Sequence, residues 1–486
     1  MAVTLQQLGG IFRDTMYDTL CGGDGSLPPS KSSFITWCMP GLPYTEQDFD
    51  FAAQGLGTGT AEVEKAKLQH AYNWAMQVDF VPDPRAAYTN DKQQGVYRND
   101  AGMRLSEIYG QILKFSKVAN HELTPEQNAK LDKFRDLLRT KRKIKDLVTD
   151  QEKEVTEDSP MMQVYKQKQM AYIAAQTMYN NKRVAAFAAK GDAGAGAVMD
   201  WASNAQLYLM QAKLAEDDWT ATGYRNDVDQ INAYINQTTE KSMMLWKSNL
   251  ETFYKDALAN AIAPGERFYY TTVTPGDFAT AGGWSGYGMN HSMVDTTAHS
   301  ESTTWTAGGD VAWGFWHAGG DAASTTTSFD STMTVEDFEL SYDMTQAQVI
   351  RPWFYPEFLI NRGWTLRQGD GWMFDKMPSD GAMPPTGTFV GYPLQAVFVR
   401  NVKIKSAAFS AAYHEYSSQF EGSASVGWGP FTLRGSYGHQ ESGNHYHAET
   451  DGATLTVPGM QVIAFVNHLL GKTPDPLPDL PESDFV

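Results

Sequence analysis

The chain has 486 residues, 39 Lys and Arg against 57 Asp and Glu, and a formal net charge of -18, which argues against nucleic acid or an anionic membrane surface as a general partner. Its 42% of hydrophobic residues excludes wholesale disorder, and two cysteines, Cys21 and Cys38, are too few for a disulfide framework or a Cys-based zinc site. Mean hydropathy is -0.42, and no run approaches the roughly 18 apolar residues of a membrane-spanning helix.

Residues 1–14 lack the basic and apolar regions of a secretory signal, so synthesis in the cytoplasm is expected, with any release by a non-classical route. Residues 1–100 read as an irregular arm or cap, broken by Gly22, Gly23, Gly25, Pro28, Pro29, Pro40 and Pro43. Their aromatics (Phe34, Trp37, Tyr44, Phe49, Phe51) mark the arm as ordered, and one short helix is expected over 61–78. Residues 101–264 predict an antiparallel bundle of long helices. Leu105, Ile108, Ile112 and Phe115 recur at helical spacing. A second helix opens at Thr124-Pro125 and carries its stripe to Leu147. Ser159 and Pro160 open a third that runs to Lys190, before the turn 191–196. A fourth is expected over 198–219 and a fifth over 227–262.

After Pro264 the period becomes two, and Gly, Ser, Thr and Trp rise. Residues 265–472 therefore predict an antiparallel, sandwich-like β domain, with strands over 336–344 and 396–404. Phe338, Leu340, Tyr342 and Met344 share a face of the first. Residues 351–385 read as a long ordered crossing, and 473–486 as an extended, proline-rich tail. The fold class is α+β.

Two stretches of the β half repeat one layout: a polar strand, a Val-x-Trp-Gly turn region with Phe, and a polar return strand. They span 300–328 and 416–447. Small polar residues on one face and Val, Trp and Phe on the other suit a strand between water and lipid. In composition these hairpins resemble the insertion hairpins of β-pore-forming toxins. That resemblance implies a membrane as partner and Trp313, Phe315, Trp316, Trp428 and Phe431 as the tips that enter it. The competing expectation places these Trp residues in the core of an ordinary sandwich.

From Phe268 to Ile350 there is no Lys or Arg but there are ten acids, whereas Lys141, Arg142, Lys143 and Lys145 cluster in the helical half. Such a split favours head-to-tail subunit contacts and a homo-oligomer. His299, His317, His445 and His447 are candidates for a pH switch in the acidic sheet. No catalytic, cofactor or metal motif stands out. The expected function is therefore non-enzymatic self-association. It leads either to a β-pore or to a filament, shell or sheath, with glycan binding on exposed Trp as a further alternative.

Overall fold

The computed structural model describes residues 3–21, 32–57, 59–84, 87–89, 92–97, 104–119, 125–145, 152–188, 195–239, 242–290, 316–319, 325–326, 334–335, 337–366, 371–372, 374–419, 425–436 and 445–486. Two long strands, Gly391–Lys405 and Thr454–Leu469, pair antiparallel at the centre of a nine-stranded sheet. Both carry continuous apolar runs because both faces are covered. Val397 and Val399 enter one core, with helix Leu5–Leu20, while Ala396 and Phe398 enter another, with Phe49 and Trp74. Strand Glu339–Ile350 flanks the central pair on one side and Ser33–Tyr44 on the other. Phe338, Leu340, Tyr342 and Met344 share one core, as their alternation predicts. Cys21 and Cys38 are buried and are not joined in a disulfide.

The first hundred residues differ from the irregular arm expected of them. Leu5–Leu20 is a helix whose Thr4 and Gln7 form a reciprocal capping box. Ser33–Tyr44 is an interior strand, placed between Thr454–Leu469 and the parallel Lys92–Val96. Pro40 and Gly41 are accommodated because the register breaks between Trp37 and Leu42, and such a bulge needs no ladder hydrogen bond from Pro40.

A smaller five-stranded sheet packs on the same core as Val397 and Val399. Its order is Thr325–Thr326, Trp316–Gly319, Ser425–Trp428, Phe431–Ser436 and His445–His447. A third core joins helices Leu105–Phe115 and Met243–Asp256 to the corner residues Trp353, Phe358 and Trp364. The tail closes onto it, with Val118 and Val486 exchanging two backbone hydrogen bonds of 3.0 Å. The tail thus packs on its own chain.

In the helical region Ser159 caps helix Pro160–Ala188, accepting from the Met162 N–H at 3.2 Å, and Ala195–Thr222 runs back antiparallel to it. The second helix, Pro125–Leu138, ends short of Leu147. Arg139–Lys145 and Glu152–Asp158 follow as a two-stranded hairpin. The fifth expected helix is two, Arg225–Thr239 and Met243–Asp256.

Candidate functional site

The paired hairpins come together at Trp316, whose strand pairs with Ser425–Trp428 so that Trp316 faces Trp428. Trp428 then faces Phe431 across the reversal Gly429-Pro430, where Gly429 takes φ 53°. Glycine with positive φ at the first central position is what a II′ hairpin turn requires. This turn is not a free tip. Both Gln461 side-chain groups clamp Thr432, Oε1 accepting from its N–H at 2.8 Å and Nε2 donating to its carbonyl at 2.9 Å. The Thr432 hydroxyl donates to the carbonyl of Gly41 in the bulge of the central sheet.

Trp316, Trp428 and Phe431 are accordingly 0%, 1% and 0% exposed, and Phe409 of helix Ala407–Ser418 lies 4.9 Å from the Trp316 ring. In this conformation all three are core residues, since alternating apolar residues read alike for a lipid face and a core face. Trp313, Phe315 and His299 lie outside the described residues. Where a polar strand was expected from 416 on, residues 416–418 are instead the end of helix Ala407–Ser418.

Among the described residues, the strands that carry His317 and the His445/His447 pair lie apart. His317 pairs with Gly427 on one side of the small sheet, and His445 and His447 pair with Ser436 and Arg434 on its far side. Three strand spacings separate them, about 14 Å. Among the described residues no group of three His, Cys, Asp or Glu comes together to hold a metal ion.

Lys141, Arg142, Lys143 and Lys145 lie on a strand where helix was expected, paired in register with the acidic strand Glu152–Asp158. Lys143 faces Glu154, Lys145 faces Glu152, and Arg142 Nε stands 3.6 Å from a Glu157 carboxylate oxygen.

Sequence reading missed the surface of the long helical pair. One face of Ala195–Thr222 closes on its partner helix. Trp201 packs on Tyr179 at 5.4 Å and Trp219 on Tyr165 at 5.3 Å, with Ala212 buried between. Ion pairs Lys182–Asp200 at 3.1 Å and Lys168–Asp218 at 2.6 Å fasten the two ends. The opposite face carries a second stripe, Met199, Ser203, Leu207, Met210 and Leu214, at spacings of three and four. Its apolar members are 70%, 45%, 52% and 59% exposed in chain order. Two stripes on one helix were the signal available in the sequence.

A polar cleft of about 470 Å³ lies elsewhere, lined by Glu107, Gly110, Gln111 and Tyr254. Close to it Asp79 accepts from the Ser106 backbone N–H at 2.7 Å and also from its hydroxyl, while burial raises the Asp79 pKa. Arg351 is structural: it donates to the carbonyls of Pro393 at 2.7 Å and Val78 at 2.8 Å, and burial brings its pKa down to about 10. No helix among the described residues is long and apolar enough to cross a membrane. No family model, curated protein or solved structure matches the chain.

Proposed function

We propose that the chain is a self-associating subunit that works by assembly, with the outer stripe of Ala195–Thr222 as a contact between copies. The observation that carries this reading is the exposure of Met199, Leu207, Met210 and Leu214 along one helix face. The stripe is nearly palindromic. With a two-fold axis between Gln206 and Leu207, Met199 of one copy meets Leu214 of the other, the small Ser203 makes room for Met210, and the two Leu207 side chains flank the axis, each level with Gln206 of the other copy. Such a surface is self-complementary in an antiparallel pair, as an isologous contact requires. Each buried Leu or Met contributes about 1.5–3 kcal/mol before association costs.

Sedimentation velocity over a wide concentration range tests this. The wild type shifts to dimers or larger species, and Leu207→Ser with Met210→Ser shifts it back at least about tenfold in concentration. The variant keeps its stability within about 0.5 kcal/mol, as an exposed site allows. A wild type that stays a single species near 53.9 kDa contradicts the reading.

A second reading, a β-pore, is favoured by one observation: the described strands of both segments already lie in one antiparallel sheet. In this reading the small sheet leaves the core before it meets lipid.

A further inference from the structure

The hairpin Arg139–Lys145/Glu152–Asp158 is a two-stranded sheet, and no other described strand pairs with either of its edges. An isolated two-stranded hairpin is marginal in water, and open edges are templates for strand addition. The edges are opposite in sign. Arg139–Lys145 carries five cations and no acid, and Glu152–Asp158 carries four acids and one lysine. Thr140, Lys141, Arg142 and Lys143 are exposed on the basic strand, and Thr156 on the acidic one.

We propose that this hairpin is a second joint between copies, in which the basic edge of one hairpin takes the acidic edge of the next as an added antiparallel strand. The inference rests on the reading that the chain self-associates. Charge selects the arrangement. A two-fold contact would set the basic strand against its own copy, or acidic against acidic, and like charges directly opposite destabilise a strand pair. Repeating the hairpin head to tail instead gives every strand neighbours of opposite sign, the arrangement already seen within one hairpin. Such a contact is heterologous and closes into a ring or grows into a filament. Main-chain hydrogen bonds would supply the affinity and the charges the register, as in other strand additions.

The test separates this joint from the helical one. Two proteins carry Leu207→Ser and Met210→Ser to silence the stripe. One keeps the native hairpin. The other also carries Arg142→Glu, Lys143→Glu, Lys145→Glu, Glu152→Lys, Glu154→Lys and Glu157→Lys. These changes exchange the signs of the strands, keep opposite charges facing within the hairpin and leave net charge unchanged. Labelled samples are compared by sedimentation and by energy transfer in mixtures. Each protein is expected to associate with itself, more weakly as salt rises from about 50 to about 500 mM. Association between the two is expected to be at least about tenfold weaker than either alone. Monomers in both samples, or equal self and cross association, overturn the hairpin joint. If the fully wild-type chain is itself monomeric, the self-association reading fails with it. If the wild type associates while both silenced proteins are monomers, only the hairpin joint fails.

Discussion

Trp428 is the side chain on which the core and membrane accounts differ most. It stacks on Phe431 with ring planes 9° apart and meets Phe409 edge-on at 5.3 Å, between the small sheet and the helix that covers it. Trp428→Ala is expected to cost about 3–5 kcal/mol in urea unfolding. A loss below about 1 kcal/mol would mean that the residue is not core. A second residue sets a pH dependence. Burial lowers the pKa of His468, which packs beside Tyr392 at 5.3 Å, below its usual 6.5. The unfolded chain therefore binds its proton first, so stability is lost as pH falls from about 6.5 toward the lower folded value. His468→Gln is expected to flatten that part of a melting-temperature profile between about pH 5 and 7. An unchanged slope would contradict the assignment. The sequence pointed to histidines as a group, but burial of this one depends on Tyr392 and Ser33 facing it across strands. No local pattern carries that information.

At the scale of elements, local chemistry was legible where the chain states its own boundaries. Helix Ala61–Val78 and the Ser159-Pro160 start of Pro160–Ala188 follow from spacing and caps. The alternation of Phe338 to Met344 gave the right face of its strand. Ser33–Tyr44 was not legible because Pro40, Gly41 and Pro43 normally signal a turn. Here they fit a bulge that a distant strand stabilises, and a Cβ on Gly41 would come within 2.5 Å of the Pro430 carbonyl oxygen. The basic strand Arg139–Lys145 was hidden for a related reason. Its lysines and arginines suit a helix, and only the facing acids of Glu152–Asp158 favour a hairpin. The outer stripe of Ala195–Thr222 was present in the spacing, but a bundle interior accounts for the same pattern. Exposure, a tertiary property, distinguishes the two.

Across the whole molecule, the ends of the chain meet in one sheet, since Ser33–Tyr44 pairs with Thr454–Leu469 and Leu5–Leu20 lies in the core beneath them. The described parts of the N-terminal region and of the proline-rich tail are therefore engaged within the protein. In the proposed assembly the helical pair and its adjoining hairpin are the surfaces that meet other copies. In that proposal the stripe is an isologous contact and the hairpin edges a heterologous one, and the two together would produce extended assemblies. Negative-stain imaging of the purified protein with and without liposomes tests this most directly. The account predicts regular particles or filaments without lipid and no change when liposomes are added. Rings that form only on liposomes, from protein that is otherwise monomeric, would contradict it.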